Sequence, residues 1–218
     1  MGKDIAKVEE VTPSKMLQVL DWAYEKSTNG IIGLDSAQEL AESYLKDNGT
    51  LEEQINSLIR WQNTKCATSG FLSGLGGIIT MPITVPANVS SVLFVQIRMI
   101  AAIAYMCGQD LRDDRVKTLV YSCLCGSAVK DIFKNAGIQV TNKLTTAMIQ
   151  KYLTREVIKK INQAVGFKLV TKAGSTGVIN AMKIVPFLGG VVGAAFDATA
   201  TNLIGNTARN LFLNQELK

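Results

Sequence analysis

Two charged residues stand where charge is costly. Arg98 is the only charged residue between positions 66 and 109, and Asp197 lies in a similarly apolar stretch near the C-terminus. An unpaired buried charge is strongly unfavourable, and pairing is the usual escape. The two residues are therefore expected to pair across helices and fix their register, or to line one polar pocket able to hold a ligand or head group. Asn88, Ser91, Arg98 and Tyr105 fall at offsets 0, 3, 10 and 17, close to one helical line. Asp197 shares a line with Gly190, Gly193 and Thr201. With Gln96, these residues make the candidate polar core: Arg98, Asp197, Gln96, Ser91, Tyr105 and Thr201.

The chain has no histidine. That excludes imidazole acid–base chemistry, histidine-based triads and histidine metal ligands. The cysteines are Cys66, Cys107, Cys123 and Cys125. Each sits in an apolar helical context, where a free cysteine behaves as a small hydrophobe. Cys123-x-Cys125 is too tight for a zinc knuckle and has no partner pair. No phosphate-binding lysine motif or dinucleotide fingerprint is present, and the glycines of 70–77 do not follow a predicted strand. No catalytic residue, metal or cofactor is assigned, and the sequence leans away from an enzyme.

Helical periodicity dominates, and strand-like alternation is nearly absent. A first helix is predicted from Thr12-Pro13 to just before Asn29-Gly30, with Leu17, Leu20 and Tyr24 on one face. A second is predicted from Asp35, where Asp35-x-x-Gln38 reads as a capping box. A third opens at Thr50-x-x-Glu53. A fourth spans Pro86 to Cys107 and closes at Gly108; apolar nearly all round, it is expected at the centre. A fifth follows Asp110, Asp113 and Asp114 and ends near Gly137. A sixth covers 141–153. A seventh starts at Thr154 and stops near Gly166. Gly174 and Gly177 form a joint before the last helices, which Pro186 breaks. The fold class expected is an all-α, single-domain bundle of about eight to ten helices. Residues 1–64 supply amphipathic helices and 65–212 the core.

From Cys66 to Ile97 run 32 residues without charge. A membrane-spanning helix needs about 20 apolar residues, but Pro82 and Pro86 interrupt the run and hydroxyl side chains dilute it. Two shorter helices meeting at a corner fit better. Gly70, Gly74 and Gly77 in this segment, and Gly189, Gly190 and Gly193 after Pro186, define two glycine-rich apolar segments. Small residues at this spacing allow close helix approach, in lipid or inside a soluble bundle.

Charge is unevenly spread. Residues 1–60 hold 6 Lys+Arg against 11 Asp+Glu, whereas residues 112–172 hold 12 against 4. Lys151, Arg155, Lys159 and Lys160 cluster in the basic half and are the candidate contacts to an anionic surface. Charged residues make up only 19% of the chain, so anionic lipid is a better partner than nucleic acid, for which no binding motif appears. With no secretory signal at the start and free thiols, a cytoplasmic location is expected.

Several segments together resemble the EcsC family. They are Ala67 to Gly77 with Pro82; Gln96-Ile-Arg98 with Ile100 to Ala104 and Gly108-Gln-Asp110; and Val185-Pro186 to Gly190, Gly193-Ala194, Asp197 and Gly205-x-x-Ala208. One departure is Cys107, where the family more often has an aromatic residue before the glycine. The resemblance implies an all-helical protein close to a membrane, the namesake being linked genetically to an ABC transporter operon. It implies no reaction.

The functional expectation is a membrane-associating or lipid-binding protein at the inner face of the membrane, its partner a membrane lipid or acyl chain. Two other expectations are a regulatory subunit of a membrane transporter and a protein that inserts into and permeabilises a bilayer.

Overall fold

A computed structural model describes residues 11–67, 87–138, 146–174 and 191–213. Among these residues every regular element is helical: α1 (Pro13–Asn29), α2 (Ala37–Leu45), α3 (Leu51–Ala67), α4 (Ala87–Met106), α5 (Asp114–Cys123), a 3-10 turn (Gly126–Ala128), α6 (Val129–Asn135), α7 (Thr146–Tyr152), α8 (Arg155–Gly174) and α9 (Val191–Phe212). The fold is all-α. The glycine and proline corners at Gly70, Gly74, Gly77, Pro82, Pro86, Pro186, Gly189 and Gly190 lie outside the described residues.

Helix starts follow their caps. The Thr12 hydroxyl accepts from the Lys15 amide at 3.2 Å, and Pro13 takes the first helical position. At α3, the Thr50 amide donates to Glu53 Oε2 at 2.7 Å and the Glu53 amide to Thr50 Oγ1 at 3.3 Å, a reciprocal box. At α2 the box is one residue later than the sequence suggests. Ser36 is the cap and Glu39 its partner, with bonds of 2.8 and 3.2 Å. Gln38 instead donates along the helix to Glu42 at 2.8 Å.

Two helix ends also differ from expectation. The predicted fifth helix is interrupted: α5 stops at Cys123, and Gly126 takes a positive φ of 57° before α6 begins. That left-handed conformation suits glycine and opens the 3-10 turn that separates α5 from α6. Conversely, α8 runs straight through Gly166. A Cβ there would lie 2.9 Å from the Pro13 carbonyl oxygen and 3.3 Å from the Leu17 side chain. This glycine permits α8 to press on α1, and its role is contact, not termination.

At the centre stands α4. It packs against α1, α2, α3, α5 and α9. From Leu93 to Ala104 every residue is buried. The described part of the uncharged run therefore fills the interior. Gly205 brings α9 against α3: a Cβ there would lie 2.9 Å from Ile59 Cγ1 and Cγ2.

Candidate functional site

Arg98 is 2% exposed, among the largest fully enclosed side chains. Its Nη1 donates to the Asp35 carbonyl oxygen at 3.0 Å, and its guanidinium lies 6.0 Å from the centre of the Phe94 ring. Two turns further along α4, the Tyr105 hydroxyl donates to Glu42 Oε1 at 3.1 Å. Both bonds go to α2 or the residues leading into it. Arg98 and Tyr105, two members of the polar line that the sequence shows on α4, thus lie on the seam that docks α2. Ser91 is buried on the same helix, and Thr201 is buried on the neighbouring α9. Gln96 is also buried, but at about 100° per residue it projects from the far side of α4 relative to Arg98. The side chain of Asp197 and the surroundings of Gly193 lie outside the described residues, so the pairing expected of Asp197 falls there too.

The basic cluster is placed differently. Lys151 on α7 and Arg155, Lys159 and Lys160 on α8 are all exposed. None makes an ion pair with another described residue. Tyr152 is 42% and Phe167 61% exposed beside them. The Lys151 ammonium lies 5.5 Å from the centre of the Tyr152 ring. On α8, Arg155, Lys159, Gln163, Phe167 and Lys160 fall within an arc of about 140°. The opposite side carries buried Ile161 and Val165. The basic arc also holds exposed Glu156 and, near one edge, the buried Gly166 that meets α1, so the outward face is mainly basic over residues 155–163, with Phe167 a turn beyond.

A third cluster escapes sequence reading. Asp21 and Tyr24 on α1 meet Lys117 and Tyr121 on α5. The Tyr121 hydroxyl donates to Asp21 Oδ1 at 2.8 Å, and Lys117 Nζ lies 2.6 Å from the same oxygen. The two rings stand edge to face with centres 5.9 Å apart, and the Lys117 ammonium is 5.8 Å from each. The Tyr24 hydroxyl donates to the Leu111 carbonyl at 2.8 Å. Burial, aided by nearby carboxylates, pushes both phenols well above their ordinary range. They are donors that tie helices together. The only sequence signal is spacing: Asp21 and Tyr24 share a helix face, as do Lys117 and Tyr121, but nothing local joins the two pairs.

Cys107, Cys123 and Cys125 are buried. Burial raises the Cys107 thiol to about 12 and Cys123 also upward, which leaves them protonated and poor nucleophiles. Among the described residues no group of carboxylates and cysteines could hold a metal ion, and no helix is long and apolar enough to cross a membrane.

A family model for the EcsC protein family matches residues 3–214. No curated protein and no solved structure matches the chain. With the family match covering nearly the whole length, the chain belongs to the EcsC protein family.

Proposed function

We propose that the protein binds the anionic inner surface of a membrane peripherally, through the outward face of α7 and α8. The observation that carries this reading is the exposed set Lys151, Arg155, Lys159 and Lys160 with Tyr152 and Phe167 beside it. Residues 146–174 hold six basic groups and one acidic group. Basic side chains at an anionic bilayer contribute about 1 kcal/mol each, so four together give roughly a thousandfold in partitioning. The two rings supply what charge alone lacks, an apolar side chain in Phe167 and an amphipathic one in Tyr152 to anchor at head-group depth. The burial of α4 supports docking by a surface over insertion of the uncharged run.

Co-sedimentation with vesicles tests this. The protein is expected to pellet with phosphatidylserine-containing vesicles, to stay in solution with pure phosphatidylcholine, and to be released by salt as screening shortens the reach of the charges. Replacing Lys151, Arg155, Lys159 and Lys160 by Gln together should abolish pelleting. Equal binding to neutral vesicles, or unchanged binding by the fourfold variant, would sink the reading.

A further inference from the structure

The side of the molecule built from α1 and α2 has the opposite charge and its own apolar anchor. Ile32, in the connection between these helices, is 95% exposed. The connection is held firmly. The Ile31 amide donates to the Leu34 carbonyl at 3.4 Å and the Leu34 amide to the Ile31 carbonyl at 2.9 Å. Gly30 and Gly33 supply the positive φ angles of 75° and 82° that the tight turn requires. Arg98 holds the Asp35 carbonyl from the core side. Ile32 is therefore presented on a fixed tip.

Beside this tip runs an open groove of about 990 Å³. Its apolar walls are Trp22, Ile31, Ile32 and Leu34, and Asp35 and Glu39 stand at its edge against the single cation Lys26. The groove also meets the C-terminal end of α1. There the carbonyls of Ser27, Thr28 and Asn29 accept no backbone amide among the described residues, so the helix end adds negative potential, which Lys26 in the last turn offsets in part. Hydrogen bonds from Ser36 hold the Glu39 carboxyl below its usual range and keep it charged. The field spreads beyond the groove: residues 11–53 carry eight carboxylates and three ammonium groups.

We propose that this groove binds a segment of a partner protein that carries an apolar anchor flanked by Lys or Arg. The apolar side chain packs on Trp22, Ile32 and Leu34, and the flanking cations meet Asp35, Glu39 and the α1 carbonyl end. Charge decides the occupant. An anionic bilayer is repelled from this side, and an acidic segment would face two carboxylates and a helix C-terminus. The groove lies on other helices than the basic face, so a partner segment and a lipid surface can be held at once.

The test uses the full chain with Trp61 replaced by Phe, leaving Trp22 as the fluorescent reporter. The probe is a synthetic Leu/Lys amphipathic helix of about 15 residues. Leu/Glu and Ser/Lys versions of the same length serve as controls. Binding of the Leu/Lys peptide is expected to shift Trp22 emission and to be at least about tenfold tighter than either control. Ile32→Ser should weaken it by about tenfold, as loss of a central anchor does, while leaving binding to anionic vesicles intact. Asp35→Asn should weaken it about threefold and flatten its salt dependence. The fourfold Gln variant of α7 and α8 should bind the peptide as the parent does. Four results would overturn the proposal: equal affinity for the Leu/Glu peptide, unchanged binding by Ile32→Ser, self-association that Ile32→Ser abolishes, or loss of vesicle binding in Ile32→Ser. The third would make the occupant a second copy, and the last would make the groove part of the lipid-facing surface.

Discussion

Helices α4 and α8 are both 20 residues long, yet they do opposite work. The first carries one charged residue and the second six. In α4 the lack of charge goes with enclosure on every side, and its one guanidinium is spent on the chain entering α2. In α8 Ile161, Val165 and Gly166 are buried against the bundle, while Arg155, Glu156, Lys159, Lys160, Gln163 and Phe167 are left to solvent. An uncharged run in a sequence reads as a lipid-seeking rod. The described part of this one is instead the post around which the other helices close. What faces outward, and can meet a surface, is the charged helix. Composition tells how apolar a segment is, while the neighbours decide what that apolarity is for.

The largest effect should come from removing the one charge inside the post. Arg98→Ala leaves a cavity and strips the Asp35 carbonyl of its donor. A loss of about 3–5 kcal/mol of stability is expected, from the missing side-chain volume and the orphaned carbonyl together. Urea unfolding measures it. A loss under about 1 kcal/mol would mean that Arg98 does not organise α2, and would return it to the candidates for a ligand site. Combining it with Asp197→Ala sharpens the comparison. Additive losses separate the two charges, and a coupling above about 0.5 kcal/mol ties them together.

Next come the two glycines at helix contacts. Alanine at Gly166 would meet a backbone carbonyl oxygen, which cannot swing aside, whereas alanine at Gly205 would meet the branched carbon atoms of Ile59. Overpacking costs about 1–3 kcal/mol, and each change regains about 1 kcal/mol of helix propensity. Gly166→Ala should therefore lose about 2 kcal/mol and Gly205→Ala about 1 kcal/mol, read from thermal melts. Ile59→Ala should relieve the second and leave the first untouched. A Gly166→Ala protein more stable than the parent would deny the close approach of α8 to α1.

What the sequence discloses and what it hides divide along range. The starts of α1 and α3, the central place of α4 and the outward placing of Lys151 to Lys160 depend on caps, periodicity and charge within a few residues, and all are legible. The end of α8 is misread at Gly166 because glycine looks the same whether it stops a helix or admits a neighbour, and the neighbour is Pro13, far away in the chain. Gly126 is misread the other way: the apolar pattern continues across it, and only its left-handed backbone marks the break. The polar line of Asn88, Ser91, Arg98 and Tyr105 is visible, but the purpose of Arg98 and Tyr105 is not, because their acceptors belong to Asp35 and Glu42. The tyrosine pair joins residues almost a hundred positions apart, and no local rule couples them.

The smallest effect is the one that separates folding from function on α8. Replacing Lys151, Arg155, Lys159 and Lys160 by Gln removes four charges that make no ion pair with another described residue. Arg155 and Lys159 stand four residues apart with like charge, so relieving them should return a few tenths of a kcal/mol. Glu156 stands four residues before Lys160, and losing that longer-range attraction should remove about as much. The net change in stability is expected to stay within about 0.5 kcal/mol, below what a melt resolves as a shift in folding. If the fourfold variant melts at the parent's temperature and no longer pellets with anionic vesicles, those side chains are held outward for a partner. If it unfolds earlier by several degrees, they belong to the packing of the bundle, and the contrast between the two helices fails on its second half.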